Sequence, residues 1–382
     1  MVLRAVLVDG SPAGTDGLTA ALSAALDGTG PAVFPATDGR APDGVPAPGT
    51  AVVVTTSGST GVPKHVMLTA AALRASAEAT RARLGGPGGW LLALPAEHVA
   101  GVQVIVRALL AGAAPVVQDV RDGFRPAGFA AAAARLPDGT RRYTSLVPTQ
   151  LLRILDDGAA GLEALRGFDA VLIGGAALDE GLRARALGAG VRIVTTYGMS
   201  ETAGGCVYDG IPLDGVRVRV DDGRVLLGGP TLAAGYLGAP DDTAEVFTDG
   251  WYRTGDLGRL DGDRLTVLGR ADDVIVTGGE KVAPAAVERV LTARPGVVDA
   301  CVVGVPDPEW GAVVGAVVVL AGPAGLDELA AAVRAELGRA AVPRRWRVVS
   351  AVPLRGIGKP DRTAARQLLS ATDRPADTSS IR

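Results

Sequence analysis

A layered α/β domain that runs into a β-rich stretch and then a smaller α+β domain is the fold class predicted by this 382-residue chain. Three observations predict it. Apolar runs of strand length alternate with amphipathic helical stretches over roughly the first two hundred residues, as expected for helices layered on a largely parallel sheet. Short strands with turn signals follow without intervening helices. A helix, two strands and another helix then close the chain.

Taken in order, Ala5–Val8, Ala51–Thr55, Trp90–Leu94, Ala114–Gln118, Thr144–Val147, Ala170–Ile173 and Arg192–Thr196 read as buried strands. Leu18–Leu26, Ala70–Leu84, Val99–Leu110, Thr149–Leu155 and Glu180–Leu187 read as helices between them. Residues 30–50, rich in Pro, Gly and Ala, read as a surface connection. Val216–Val220 and Arg224–Leu227 flank Asp221-Asp222-Gly223, a compact hairpin signal. From Gly269 the pattern predicts a helix near Pro284–Ala293, strands near Asp299–Val305 and Gly311–Leu320, and a helix near Leu326–Gly338. The boundaries that follow are 1–269, with a β subdomain over about 205–268, then a small domain over 270–370, with 371–382 as a disordered tail.

Composition excludes several functions. The chain is 48% hydrophobic and 21% charged, ordinary for a globular protein. A net charge of −3 argues against a general nucleic-acid binder, and no basic run marks a membrane-surface patch. No apolar run is long enough to span a membrane and MVLRAVLVDG lacks a signal peptide's apolar region, so a cytoplasmic enzyme is expected. Cys206 and Cys301 lack metal-ligand spacing and read as plain thiols; with only His65 and His98 present, no zinc site is expected.

The basic residues carry a sharper signal. Only three of 38 are lysines, Lys64, Lys281 and Lys359, and each lies in a glycine-rich stretch. Lysine is a compact point charge on a thin stem, which suits a crowded phosphate or carboxylate better than the arginine fork. Lys64 ends Thr55-Thr56-Ser57-Gly58-Ser59-Thr60-Gly61-Val62-Pro63-Lys64, directly after a predicted strand. Glycines and small hydroxyl residues there let backbone N–H groups and hydroxyls converge on phosphate oxygens. The loop is not a Walker A motif, because only two residues separate Gly61 from Lys64 and His65 follows.

This loop resembles the phosphate-binding signature of the adenylate-forming superfamily, which includes acyl-CoA synthetases, peptide-synthetase adenylation domains and luciferases. Four further motifs resemble that family's in the same order: Thr196-Tyr197-Gly198-Met199-Ser200-Glu201-Thr202, Tyr252-Arg253-Thr254-Gly255-Asp256, Gly269-Arg270-Ala271-Asp272-Asp273 and Gly358-Lys359. The resemblance spans nearly the whole chain. It implies ATP, Mg²⁺ and coenzyme A as reactants, a small carboxylic acid as substrate, no nucleic-acid or membrane partner, and an active site between a large domain and a small one. A homodimer stays open.

Residue by residue, the resemblance implies that Thr56, Ser57, Gly58, Ser59, Thr60, Gly61 and Lys64 cradle phosphate. Lys359 would bridge the carboxylate and the α-phosphate, where negative charge builds in the transition state. Glu201 would hold Mg²⁺, with Thr60 or Ser200 on phosphate; a carboxylate opening a helix would also satisfy the macrodipole, and the two roles are compatible. Gly174, Gly175, Ala176 and Tyr197, continued by Gly198, Met199 and Thr202, would form the adenine slot. Asp256 and Arg270 would hold ribose, and Asp272 would be the hinge about which the small domain turns between half-reactions. Lys281 receives no catalytic role.

The acyl site is expected along Leu94–Gly101 and the helix after it. His98 matches the family's gate position, and Arg107, nine residues on, interrupts an apolar helix. An arginine there either snorkels to solvent or awaits a buried anion. The His98-to-Arg107 pattern, together with the short stretch before the phosphate loop, resembles short actinobacterial members of the o-succinylbenzoate–CoA ligase branch. That likeness implies a dicarboxylic acid whose spare carboxylate is read by Arg107, with Gln103 and Tyr143 nearby. An aryl or short-chain monocarboxylic acid is the alternative; a carrier-protein thiol in place of coenzyme A, or adenylate binding without turnover, are the others.

Overall fold

A computed structural model describes residues 2–56, 63–157, 159–322, 325–355 and 359–370, with Arg355 and Lys359 described through their backbone alone. The chain divides into two compact units. One holds residues 1–178, 182–254 and 260–266; the other holds 179–181, 255–259 and everything from 267.

Besides a β-rich sheet built on Arg217–Asp221, Arg224–Gly228 and Trp251–Asp261, the first unit contains two sheets where the alternation of elements suggested one. A five-stranded sheet runs in the order Leu3–Leu7, Ala32–Ala36, Thr50–Thr56, Lys64–Thr69 and Gly235–Tyr236. A seven-stranded sheet runs Ile211–Pro212, Gly204–Tyr208, Ile193–Met199, Ala170–Ile173, Arg142–Leu146, Gly89–Leu92 and Val116–Val117. Its five strands from Ile193–Met199 to Val116–Val117 run parallel to one another. Strand-and-helix periodicity states what each segment is but not which strand it pairs with, so the division into two sheets escaped it.

Residues 30–50 are not only a surface connection, as the sequence reading had them. Ala32–Ala36 is a strand buried at all five positions, parallel to Leu3–Leu7. Its ladder to Thr50–Thr56 consists of Val33 against Val52, so Pro35 lies beyond that pair and breaks no bond on that side. The dense Pro and Gly around a three-residue apolar run masked it.

Helix starts follow local chemistry. Ser11 caps Pro12–Leu26 by accepting from the Gly14 N–H at 3.0 Å, and Thr69 caps Ala70–Arg83 by accepting from the Ala72 N–H at 3.0 Å. Val99–Leu110 is apolar around almost its whole circumference and is accordingly buried from Gly101 to Ala108. The predicted hairpin forms as Arg217–Asp221 paired antiparallel with Arg224–Gly228.

In the second unit, Val297–Asp307 and Gly311–Leu320 form a long antiparallel pair, with Arg345–Val349 parallel to the latter. Alternate side chains serve two cores, as a period of two requires. Ala300 and Val302 pack with Val287, Val290, Leu329 and Val333 of two helices, whereas Cys301 and Val303 pack with Ala365 and Leu369 of Arg362–Ser370. Arg362, at the start of that last helix, donates to Asp273 Oδ2 at 3.0 Å, to Glu288 Oε1 at 2.6 Å and to the Val302 carbonyl at 2.6 Å. Among the described residues no helix is long and apolar enough to cross a membrane.

Both thiols are fully enclosed, and burial pushes each from the ordinary 9.0 up to about 12. At pH 8 the folded protein should therefore resist a thiol reagent that modifies two cysteines after denaturation. The unfolded thiols release their protons first, so this contribution to stability is complete below pH 9 and is lost as pH rises towards 12. Urea titrations at pH 8 and pH 10 test the sign: a midpoint that rises at pH 10 in the native protein, relative to a Cys206→Ala, Cys301→Ala double variant, contradicts it.

Candidate active site

The predicted site residues of the first unit collect where strands of its two sheets end. Thr50–Thr56 runs into residues 57–62, and Lys64 returns opposite Thr56 on the antiparallel strand. Ser57, Gly58, Ser59, Thr60 and Gly61 lie outside the described residues. Lys64 Nζ is 3.0 Å from Asp242 and 4.7 Å from the centre of the Tyr236 ring. His65 Nδ1 lies 3.2 Å from the Thr55 hydroxyl.

On the second sheet, Ala170–Ile173 ends at Gly174, where a Cβ would collide with the Thr196 hydroxyl, and Gly175 follows with φ of +81°. Both positions therefore favour glycine. Tyr197, Gly198 and Met199 lie in the neighbouring strand Ile193–Met199, which runs directly into the short helical turn Ser200–Thr202. Thr202 fastens this turn. Its hydroxyl takes the Met199 N–H at 3.0 Å and donates to the Gly204 carbonyl at 2.8 Å. Ala203 adopts a left-handed conformation, φ 51°, which reverses the chain into Gly204–Tyr208.

Glu201 is 8% exposed and accepts a hydrogen bond from the Tyr236 hydroxyl at Oε1, 2.9 Å away. Its other carboxylate oxygen makes no hydrogen bond among the described residues. Tyr236 belongs to the strand paired with Lys64–Thr69, and the Ala233 N–H donates to the Glu201 carbonyl at 2.9 Å. The acidic turn of one sheet and the Lys64 strand of the other are thus joined through one phenol. Tyr236 was absent from the residues read from the sequence. Its Gly-Tyr pair falls in none of the quoted motifs, and only the three-dimensional pairing exposes it.

Beside this turn lies the predicted acyl helix. His98 stands at its N-terminal boundary, and the ring makes no hydrogen bond among the described residues. Gln103, 1% exposed, donates from Nε2 to the Ala203 carbonyl at 2.7 Å while its Oε1 is buried without a partner. One turn on, Arg107 is 7% exposed, donates from Nη2 to the Tyr208 hydroxyl at 3.3 Å and leaves Nε buried and unpartnered. Its guanidinium lies 5.2 Å from the Trp90 ring centre, and burial holds its pKa below the ordinary arginine range. No carboxylate pairs with it among the described residues. A cavity of about 100 Å³ adjoins it, lined by Trp90, Arg81, Glu78 and Pro87 among others. Tyr143 reaches this group only through Trp90, ring centres 5.1 Å apart, because its hydroxyl is held by the carbonyls of Leu84 and Gly86.

In the second unit, Asp256 is buried, and Arg270 lies 3.5 Å from it and 3.3 Å from Asp272. Gly255 leaves room for this guanidinium, which a Cβ there would strike. Lys359 lies in the two-residue strand Lys359–Pro360, paired with Leu354–Arg355; Gly358 is outside the described residues.

No three potential metal ligands cluster among the described residues. The donor set of Glu201 nevertheless fits Mg²⁺, which takes one or two carboxylate oxygens and completes its shell with water and substrate phosphate.

Comparison with known proteins agrees with this geometry. Residues 13–237 match the AMP-binding enzyme family, and residues 286–359 match the AMP-binding enzyme C-terminal domain. A probable 2-succinylbenzoate–CoA ligase of Mycobacterium tuberculosis is 53% identical over 323 residues, covering 82% of this chain and 83% of the relative. The o-succinylbenzoate CoA synthetase of Bacillus subtilis, solved with the acyl-adenylate intermediate OSB-AMP, superposes with a TM-score of 0.72 at 28% identity, covering 83% of this chain and 69% of that one. The amide bond synthetase McbA of Marinactinospora thermotolerans gives 0.76 at 30% identity, over 93% and 78%. The chain belongs to the AMP-binding enzyme family, within the adenylate-forming superfamily, and is an enzyme of its acyl-CoA ligase group.

Proposed function

We propose that this enzyme converts 2-succinylbenzoate to its coenzyme A thioester through an acyl-adenylate, as a step of menaquinone biosynthesis in the cytoplasm. The observation that carries the substrate is Arg107. A guanidinium cannot shed its proton, and a buried, unpaired charge is costly. An apolar helix that keeps one, with an orphan Nε and a cavity beside it, is suited to an anionic ligand group. A dicarboxylic acid supplies that group on the end that does not react. The identity of the Mycobacterium relative supports the same substrate. Gln103, one helical turn nearer the Glu201 turn, offers its unpartnered Oε1 as acceptor to a water that donates in turn to the bound acid, and His98, at the N-terminal boundary of the helix, gates the acid. Tyr143 holds the Trp90 ring against Arg107.

The chemistry proceeds in two displacements. A carboxylate oxygen attacks the α-phosphorus of ATP and pyrophosphate leaves. The coenzyme A thiol then attacks the acyl carbon, giving up its proton, and AMP leaves. Mg²⁺ bound at Glu201 would draw charge from the phosphate oxygens. Lys64 exchanges Asp242 for phosphate, the residues from Thr56 to Gly61 supply hydroxyl and N–H donors, and Ser200 adds a hydroxyl at the turn. Gly174, Gly175, Ala176, Tyr197, Gly198 and Met199 receive the adenine, with Thr202 fixing their turn. Asp256 and Arg270 hold the ribose hydroxyls. Lys359 balances the two anions as they meet, and Asp272 serves as the hinge between half-reactions.

Pyrophosphate release with ATP and Mg²⁺, across 2-succinylbenzoate, benzoate, hexanoate and an amino acid, with and without coenzyme A, tests the reading. Turnover confined to 2-succinylbenzoate with a thioester product is expected; faster turnover of a monocarboxylic acid removes the substrate and leaves the chemistry. Lys359→Ala should lower adenylate formation by about a hundredfold or more while sparing thioester formation from supplied acyl-adenylate. Equal loss in both halves refutes the role of Lys359.

Arg107→Ala should raise KM for 2-succinylbenzoate by about tenfold to a hundredfold and leave KM for ATP unchanged, a loss the size of one charge-assisted contact. An unchanged KM for the acid excludes Arg107 from the carboxylate.

A further inference from the structure

We propose that Tyr236 is a positioning residue for metal-bound nucleotide: its hydroxyl occupies one oxygen of Glu201 and thereby presents the other to the cation. The inference rests on the proposed metal role of Glu201 and adds a residue to it.

A carboxylate that is nine-tenths buried must be hydrogen-bonded or it loses several kcal/mol of solvation. Glu201 meets this requirement at Oε1 through Tyr236, itself 5% exposed. The bond is charge-assisted and selects one orientation of a side chain with three rotatable bonds. Such outer-sphere donors commonly set the direction in which a ligating carboxylate faces.

The phenol is in turn fixed from several sides. Its backbone pairs with Val66, and its N–H donates to the Thr243 hydroxyl at 2.9 Å. The residue before it, Gly235, has φ of +126° and no space for a Cβ against Thr243, so the approach of the strand is determined by the backbone. The ring meets Phe247 edge-on at 5.9 Å. Lys64 stands over the ring face.

A phenol present only for packing predicts a different outcome from one that aims a ligand. Tyr236→Phe keeps the ring and removes the donor. Calorimetric binding of ATP to the full chain, without acid or coenzyme A, separates the two. Metal-free ATP and AMP should bind Y236F as they bind the native enzyme. The tightening of ATP binding by Mg²⁺ should fall about tenfold, the usual size of an outer-sphere loss. An unchanged Mg²⁺ increment in Y236F overturns the proposal. Glu201→Gln, measured in parallel, should remove the increment; if E201Q retains it, the metal role of Glu201 fails and this inference falls with it. If E201Q loses it and Y236F does not, only the positioning role is wrong. Should Y236F not fold, Thr243→Val, which removes the acceptor of the Tyr236 N–H, should reduce the increment by a smaller factor, and no reduction counts against the proposal.

Discussion

One buried hydrogen bond, from the Tyr236 phenol to Glu201, ties together the parts of the large unit that the chemistry needs. The two sheets have separate ladders and separate orders, so nothing in strand pairing registers one against the other. The acidic turn ends a strand of the seven-stranded sheet, and the phenol ends the edge of the five-stranded one. Between them the bond and the Ala233–Glu201 backbone contact bring the lysine and the carboxylate into one neighbourhood. Removing the donor would leave a desolvated charge, which gives the contact more weight than its single bond suggests.

Along the helix Val99–Leu110 the same principle produces a different result. Gln103 and Arg107 are one turn apart, so both face the strand Gly204–Tyr208, and each uses part of its bonding capacity there. Ser76 shares the Ala203 carbonyl with Gln103, and Thr80 shares the Tyr208 hydroxyl with Arg107. These contacts fasten Ala70–Arg83 and Val99–Leu110 to the second sheet. They do not exhaust the polar atoms: Gln103 Oε1 and Arg107 Nε remain. Two orphan groups on one face of a buried helix are an uncommon cost for a fold that could have used Leu at both positions. On the proposed reading, a carboxylate at Arg107 Nε and a water between it and Gln103 Oε1 account for their retention.

Sequence patterning revealed the helices well, because the Thr69 cap of Ala70–Arg83 and the apolar run of Val99–Leu110 act locally. The buried strand Ala32–Ala36 and the split into two sheets were hidden, since both depend on partners distant along the chain. The site divided in the same way. Glu201, Lys64 and Gln103 each lie in a stretch that local sequence singles out, whereas Tyr236 joins Glu201 from 35 residues further on through tertiary pairing. Tyr143 shows the converse. Its sequence position placed it near the acid, but its hydroxyl is engaged by backbone carbonyls and its contribution runs through Trp90.

The scarcity of lysine also has a physical reading. Arg362 spans Asp273, Glu288 and the Val302 carbonyl, a set that only a planar fork can satisfy together and that must stay in place for the small unit's core to hold. Lys64 has the opposite situation. Its contact with Asp242 is partly solvated, and such a pair contributes at most about 1 kcal/mol. A phosphate can displace Asp242 at little cost, and the aromatic face beneath keeps the ammonium near its station meanwhile. An arginine in that position would bind the carboxylate in two places and give it up less readily. On the proposed phosphate role of Lys64, a chain that otherwise relies on arginine keeps an ammonium where the cation has to change partners.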